Sequence, residues 1–283
     1  MQGIDLHTHS NISDGALSPE ELVLLAKEKQ IHTLALTDHD SIDGVIRAES
    51  VAKQQQINLI SGVEISSQWH RPNTKKTYGV HIVALNIQDF QPMIELLAQQ
   101  QSLRAKRAEL ICQRLEKVTA YNPLNDILAT VDGQKDRITR SHIAQALLNK
   151  GIVNRLQTAF DVFLKQGKSA YVDLQWTDFA QVMQTIKQSK GYAVLAHPCE
   201  YNLSATNLRY MIDLFAEHQG DAVELTSPSK PFSTRQMIDR CISQHQLKIS
   251  VGSDFHGAHM PWRRLGVVPE KSEQQIGIWE FFR

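Results

Sequence analysis

Short runs of apolar and β-branched residues recur along the chain and alternate with longer segments in which apolar residues repeat every three or four positions. Runs of the first kind are typical of buried strands, and segments of the second kind are typical of amphipathic helices. The apolar runs lie at 4–6, 33–37, 59–63, 80–85, 193–196, 222–225 and 248–251. This alternation predicts parallel β/α units, and about seven such strands with helices around them predict a barrel.

The segment 18–30 shows how the helices between the strands are recognised. Ser18 is a candidate N-cap, Pro19 suits the first turn, and Glu21 stands at the capping-box position. Similar patterns predict helices at 41–52, 178–190, 205–219 and 234–246, and the aromatic tail at 273–282 predicts a short closing helix. Most of these helices lie between two predicted strands, and the last closes the chain.

The alternation breaks between residues 91 and 171, where no strand pattern occurs and at least three helical patterns follow one another. The first helix is predicted at 91–118, and a later one at 141–150 ends at Gly151 as a C-cap. We therefore expect a distorted (β/α)7 TIM-like barrel built from 1–90 and 172–283. A helical insertion at 91–171 would cap the active-site face of that barrel.

The composition fits an ordinary globular chain and excludes several classes of protein. Of 283 residues, 42% are hydrophobic, and the 30 basic and 30 acidic side chains cancel, so no global field gathers long nucleic acid. The three cysteines form no CxxC pair, which argues against a disulfide framework and a thiolate zinc site. There is no apolar run of membrane-spanning length and no signal-peptide pattern at the start. We expect a cytoplasmic protein with no membrane contact and no obligate protein partner.

Histidines and carboxylates are concentrated where the predicted strands end. His7 and His9 are two positions apart, so both imidazoles lie on one face of an extended chain. Because the carboxyl ends of barrel strands open onto one face, such groups converge there. The candidate ligands are His7, His9, Asp14, His39, Glu64, His81, His197, Asp254 and His256.

These ligands are too many for one tetrahedral ion. They predict two or three divalent ions, and imidazole with carboxylate but no thiolate favours manganese, with zinc, iron or magnesium as alternatives. A single histidine at a strand end is more often a core or capping residue. Six of them drawn from five predicted strands, each beside an acid or another histidine, make that explanation a poor one for the whole set.

The same segments resemble the polymerase and histidinol phosphatase (PHP) family of metal-dependent phosphoesterases. The motifs that carry the resemblance are Asp5-Leu6-His7-Thr8-His9, Thr37-Asp38-His39-Asp40, Gly62-Val63-Glu64, His81, Ala196-His197-Pro198 and Ser253-Asp254-Phe255-His256. The resemblance implies one ion held by His7, His9, Glu64 and Asp254, a second by Glu64, His81 and His197, and a third by Asp14, His39 and His256. No ligand position of that pattern is missing.

The expected chemistry is hydrolysis of a phosphoester by a metal-bridging hydroxide, with no side-chain nucleophile. Among the ligands, Glu64, Asp254 and His197 are expected to carry the reaction. Asp38 and Asp40 flank His39 and are candidates for orienting the metal ligands. The alternative for both is capping of the following helix at 41–52.

Basic residues of the insertion are the candidate phosphate contacts. Arg104 and Arg107 share a helix face, although such a run taken alone more often forms a solvated face. Arg140, Ser141 and His142 stand at a predicted helix start, where backbone amides and an arginine can bind phosphate. Weaker candidates are Lys168 and Arg235 for phosphate, and Trp69, Tyr78, Tyr171 and Trp262 for stacking on a base.

Within the family, the Asp-Leu-His-Thr-His-Ser start, the helical insertion and the Arg-Ser-His-Ile-Ala helix resemble the bacterial branch that acts on nucleotides. This implies a 3′,5′-nucleoside bisphosphate phosphatase, a 5′-to-3′ exoribonuclease of short RNA, or both. In either case a 5′ phosphate is bound and the ester at the 3′ oxygen is cut. The alternatives are a histidinol-phosphate phosphatase, an amidohydrolase-type carbon–nitrogen hydrolase, and a metal-loaded binding or regulatory module without turnover.

Overall fold

A computed structural model describes residues 3–71, 74, 76–173, 175–201 and 203–282. Within them, seven strands form one sheet in chain order, which confirms each predicted strand. Their bounds are β1 Ile4–Asp5, β2 Thr33–Leu36, β3 Asn58–His70, β4 Thr77–Leu85, β5 Tyr192–Leu195, β6 Ala222–Glu224 and β7 Lys248–Ser250.

The two edges of the sheet meet, so that the sheet curls into the predicted distorted barrel. The Leu6 amide donates to the Val251 carbonyl at 2.9 Å, and Thr8 forms a parallel bridge with Phe255. An apolar cluster gathers residues from β2 to β6 around Leu6 and includes Ile278 of the tail. The tail therefore packs against the sheet, although only Ile278–Phe281 is helical, as a single 3-10 turn.

The prediction of uniformly parallel units is wrong at β4, which pairs antiparallel with both β3 and β5. Only six residues separate β3 from β4, and a parallel crossover needs a dozen or more, so the chain turns back as a hairpin. β3 also continues to His70. Glu64 consequently lies in the middle of β3 rather than at its end.

The helices around the sheet confirm the predicted pattern. In the first, the Glu21 amide donates to the Ser18 hydroxyl and the Ser18 amide donates to the Glu21 carboxylate, as a capping box requires. The bounds are α1 Pro19–Glu28, α2 Asp43–Gln55, α3 Gln91–Thr119, α4 Leu124–Leu128, α5 Arg140–Asn149, α6 Leu156–Ala159, α7 Phe179–Gln188, α8 Ala205–Glu217 and α9 Phe232–Gln244. Among the described residues, no helix is both long enough and apolar enough to cross a membrane.

The segment 91–171 contains α3 to α6 and an apolar cluster of its own. Met93 and Leu97, early in α3, pack in the cluster that contains Val63 and Ile82 of the sheet. Later residues of α3 pack with α4 and α5 in a separate cluster. α3 therefore ties this helical segment to the barrel, and it passes close to the strand ends as it does so.

Candidate active site

The nine predicted ligands converge at one end of the barrel. His7 and His9 follow β1, His39 follows β2, His197 follows β5, and Asp254 follows β7. Glu64 and His81 come from within the β3–β4 hairpin, where His81 is paired with Ser66. His81 therefore reaches the site from an antiparallel strand, and not from the carboxyl end of a parallel one.

Glu64 lies at the centre of this cluster and is almost fully buried. One carboxylate oxygen is 2.7 Å from Nδ1 of His81 and 2.8 Å from Nε2 of His197. The other oxygen is 3.0 Å from Nδ1 of His39 and 3.3 to 3.4 Å from Nε2 of His9 and His7. Burial raises the pKa of Glu64, but the charges of His81, His39 and His7 outweigh it and hold that pKa well below its usual value.

His7 is oriented by a carboxylate that the sequence analysis missed. Glu224, the last residue of β6, lies 2.7 Å from Nδ1 of His7 and leaves Nε2 facing Asp254 at 3.6 Å. Burial lowers the pKa of His7, but Glu64 and Glu224 outweigh it and raise that pKa to about 10. The available signal was a carboxylate at the end of a predicted strand, the same signal that identified the ligands.

Asp14, His39 and His256 form the opposite side of the cluster. Oδ1 of Asp14 is 3.4 Å from Nε2 of His256 and 3.8 Å from Nε2 of His39. Burial raises the pKa of Asp14, and the two histidines outweigh it and lower that pKa well below its usual value.

The loop that carries Asp14 is held by Asp38. Its carboxylate accepts hydrogen bonds from the Ser10 amide at 2.8 Å and from the hydroxyls of Ser10 and Ser13 at 2.7 Å. Helix α2 begins at Asp43 without a side-chain cap, so the described contacts assign Asp38 to the loop and not to the helix. Asp38 thus positions the predicted ligand Asp14 indirectly, by holding the loop that precedes it.

The donor set fits divalent ions. Four overlapping groups bring ligand atoms within 4.8 Å of one another: His9, Asp14, His39 and His256; His7, His9 and Asp254; His7, Glu64 and His197; and His39, Glu64 and His81. Nε2 of His7, Nε2 of His9 and Oδ1 of Asp14 are buried and have no hydrogen-bond partner among the described residues. Buried polar atoms of this kind need a partner, and a cation supplies one to all three.

These four groups contain the same nine residues as the three ion sites that the family resemblance implies. The residues are combined differently in the two cases. His9 joins Asp14, His39 and His256, while His81 and His197 meet Glu64 in separate groups. Backbone strain marks the same place, because His197 (φ 28°) and Asp254 (φ 52°) adopt positive φ values without being glycine. Such strain clusters at functional sites, where the surrounding structure maintains it.

Arg104 reaches the cluster from α3 and is buried, so the solvated-face alternative is wrong for this residue. Its guanidinium pairs with the carboxylate of Asp40 and donates to the Ser66 hydroxyl at 3.0 Å. The amide and hydroxyl of Ser66 also donate to Asp40 at 2.8 Å each. Asp40 follows His39 directly, so one short segment carries a candidate ligand and the anchor of Arg104.

Arg107 and Arg140 lie beside Arg104 and complete an arginine cluster. The side chain of Trp176 lies under the guanidinium groups of both Arg104 and Arg107, with its ring centre 5.4 Å from each. Burial, Arg140 and Arg104 together lower the pKa of Arg107 to about 9. Burial also lowers the pKa of Arg140, while Asp14 and Tyr171 act in the opposite sense. Three arginines that lie close together, one of them paired with Asp40, concentrate positive charge beside the candidate ligands.

The start of α5 uses its own side chains as a cap. The Thr139 hydroxyl accepts from the amides of Ser141 and His142, and the Thr139 amide donates to Nδ1 of His142. Those two amides are therefore already bonded. Arg140 is the positively charged residue at this helix start. Burial lowers the pKa of His142, as it does that of Arg140, while the carboxylate of Asp14 raises both.

The weaker candidates divide between core and surface. Trp69 is buried and stacks on Tyr78 and Tyr210, with ring centres 5.4 and 5.7 Å away. Lys168 is exposed, and Trp262 is 74% exposed. Sequence reasoning missed Trp176 and also Arg263, which pairs with the carboxylate of Asp254, because neither lies in a strand-end or helix-start pattern.

Comparison with known proteins agrees with this geometry. The family model described as "PHP domain" matches residues 5–177. A 5′-3′ exoribonuclease of Haemophilus influenzae is 40% identical over 98% of both chains. A 3′,5′-nucleoside bisphosphate phosphatase of Chromobacterium violaceum is 34% identical over 94% of this chain and 91% of the relative.

A solved structure from Chromobacterium violaceum has a closely similar fold. It is described as an amidohydrolase with bound sulfate and no metal, and it superposes with a TM-score of 0.88 at 31% identity. The match covers 98% of this chain and 95% of that one. The likeness extends over barrel and helical segment together.

Proposed function

The chain belongs to the PHP domain family, and from that premise we propose that it is a metal-dependent phosphoesterase that cuts the ester at the 3′ oxygen of nucleotides carrying a 5′ phosphate. Its substrates would be 3′,5′-nucleoside bisphosphates and the 5′ end of short single-stranded RNA. One observation carries the proposal: an arginine cluster adjoins the candidate metal ligands through Asp40, which pairs with Arg104 and directly follows His39.

In this proposal two or three divalent ions, manganese first among them, are held by the nine converging histidines and carboxylates. Such ions lower the pKa of bound water toward ~7 and neutralise charge on the reacting phosphate. Glu64, Asp254 and His197 are the ligands that we assign to the reaction itself. Glu224 keeps Nδ1 of His7 engaged, which leaves Nε2 as the atom available to an ion.

The arginine cluster binds the 5′ phosphate. Asp40 and Ser66 hold the guanidinium of Arg104 in one orientation before the substrate binds. Arg107 and Arg140 add positive charge. A planar guanidinium recognises phosphate by paired hydrogen bonds. Ser141 and His142 stand beside Arg140 at the start of α5 and are further candidates for contact with this phosphate through their side chains. The helical segment 91–171 would act as the cap that carries this selectivity.

The two activities are one reaction on two substrates. Water attacks phosphorus, the bond between phosphorus and the 3′ oxygen breaks, and that oxygen leaves with a proton. A bisphosphate then gives a 5′-mononucleotide and inorganic phosphate. An RNA gives a 5′-mononucleotide and a shorter RNA whose new 5′ end again carries phosphate, and that product is the next substrate.

The cytoplasm is the compartment in which we expect this reaction. Cys112, Cys199 and Cys241 are all free thiols. Two are buried and none is paired, as is usual for a protein kept in a reducing compartment.

The proposal is tested by product analysis with manganese-loaded protein and two substrates, a 5′-phosphorylated oligoribonucleotide and a 3′,5′-bisphosphate. We expect 5′-mononucleotides to accumulate stepwise from the first substrate and phosphate from the second. A Glu64→Gln variant should give neither product. Inactivity toward both substrates, or activity that survives in the variant, would contradict the proposal.

A further inference from the structure

A cleft of about 1540 Å³ opens directly from the candidate active site. His197 and Asp254 line one part of it, and the segment 226–230 after β6 and the segment 262–270 form its walls there. It then continues along α9 to Lys248, at the start of β7. Typical small-molecule sites measure roughly 300–1,000 Å³. The whole cleft exceeds that range because it continues along α9, and the reaction proposed above leaves the part beside His197 and Asp254 without an occupant.

The cleft and the arginine cluster lie on different sides of the candidate metal ligands. Arg104 pairs with Asp40, which directly follows His39, and Nε2 of His39 is 3.8 Å from Oδ1 of Asp14, so the cluster lies on the Asp14 side of the ligands. His197 and Asp254 instead line the cleft. When the 5′ phosphate is held on one side and the reacting phosphate lies between the two, the chain 3′ of the cut bond must leave on the other side.

The lining offers the two kinds of group that hold single-stranded nucleic acid. Trp262 is 74% exposed on one wall, and beside it Arg263 pairs with the Asp254 carboxylate. Arg235 lines the other wall, with its Nε donating to the Lys230 carbonyl at 3.2 Å. Aromatic platforms with neighbouring cations bind single strands without regard to sequence, because every base has a face that can stack.

Carboxylates also line the cleft, and they limit its charge. Glu200 lies 2.8 Å from Nζ of Lys230, and Asp239 is near enough to Arg235 for their charges to interact. The cleft is therefore less basic than the arginine cluster. Stacking on Trp262 should contribute more to binding here than phosphate contacts, and salt should affect it less.

We infer that this cleft binds the nucleotides on the 3′ side of the cut bond, with Trp262 as the stacking platform for a base and Arg263 and Arg235 beside the phosphates. The inference rests on the proposed function. It assigns to this cleft a ligand of its own, single-stranded RNA longer than one nucleotide. A bisphosphate does not reach the cleft. The two substrates should consequently respond differently to changes there.

The test compares Trp262→Ala with Ile46→Ala, which removes an exposed apolar side chain from α2 (63% exposed) outside the cleft. Binding is measured by fluorescence anisotropy of manganese-loaded protein with a 5′-phosphorylated octaribonucleotide whose first linkage is an uncleavable methylene phosphonate. Hydrolysis of a 3′,5′-bisphosphate is measured in parallel. Trp262→Ala should weaken octamer binding about 5- to 150-fold, the range expected for one stacked base.

The same variant should leave bisphosphate hydrolysis within about twofold of the wild type, and Ile46→Ala should change neither measurement. Unchanged octamer binding in Trp262→Ala would overturn the inference. An equal loss of binding and of bisphosphate hydrolysis would also overturn it, because the side chain would then support the site as a whole. Failure of the proposed function looks different: the wild type would hydrolyse no bisphosphate, while octamer binding would still decide the role of the cleft.

Discussion

The barrel and the helical segment contribute to the site in different ways. In the barrel, candidate ligands come together because each belongs to a strand or follows one, and the sheet fixes where the strands end. In the helical segment, Arg104 and Arg107 are placed by contacts with distant partners, namely Asp40 and Trp176. The comparison suggests a division of labour in which the barrel carries the chemistry and the helical segment selects the substrate. Changes in the two regions should therefore be separable.

The largest effect should come from the centre of the barrel. Glu64→Gln removes a charge that faces five histidines, so we expect kcat/KM to fall at least about a thousandfold, or ~4 kcal/mol of transition-state stabilisation. Phosphate binding by the arginine cluster should persist, as measured by calorimetry. Glu28→Gln on the exposed face of α1 is the matched control. Loss of phosphate binding in Glu64→Gln would show that the two regions are not separable.

A smaller effect should follow from Glu224, whose carboxylate is 2.7 Å from Nδ1 of His7. Glu224→Gln weakens the partner of Nδ1 of His7, and losses of such a partner typically cost about 10- to 100-fold in metal affinity. Manganese titration of the activity should show a raised half-saturation concentration. Excess manganese should restore most of the rate, and failure of that rescue would indicate damage beyond metal binding.

In the helical segment, Arg104→Lys keeps the charge but loses the planar fork. A single ammonium cannot maintain the contacts with Asp40, Ser66 and Trp176 together. We expect about a tenfold fall in the preference for substrates with a 5′ phosphate, with little change for 3′-monophosphates. The control is Arg114→Lys on the same helix. An equal fall for both substrates would place Arg104 in the chemistry rather than in selection.

The smallest effect concerns stability. Burial and neighbouring cations lower the pKa of Arg107 below its ordinary value to about 9, so its charged form is disfavoured in the folded protein. That cost is present at pH 7 and is relieved as pH rises through 9. Arg140→Met removes one repelling neighbour, and a gain of ~1 kcal/mol would raise Tm by about 2–4 °C. Thermal unfolding at pH 7 checks this, with Arg240→Met on α9 as control; a lower Tm would contradict it.

The difference between the barrel and the helical segment also explains which site residues could be predicted from the sequence and which could not. His7 and His9 were identifiable because strand ends have a local pattern and the barrel carries them to one face. The predicted strands at 59–63 and 80–85 left sixteen residues between them, which is enough for a parallel crossover. The short connection that makes β4 antiparallel arises because β3 continues to His70 and β4 begins at Thr77. Arg104 could be named but not placed, because its burial depends on Asp40, 64 residues away along the chain. Trp176 and Arg263 had no local signal, since only the folded chain brings them to the site.

The most direct test of the division of labour is one ratio, kcat/KM for a nucleoside 3′,5′-bisphosphate over kcat/KM for the matching 3′-monophosphate. It is measured with manganese-loaded wild type and with Arg140→Met. We predict a wild-type ratio of at least about 10, the order of magnitude of one charged hydrogen bond. In Arg140→Met the ratio should fall toward one, while the 3′-monophosphate is hydrolysed at the wild-type rate. An unchanged ratio, or an equal loss with both substrates, would contradict the claim that the arginine cluster selects the 5′ phosphate.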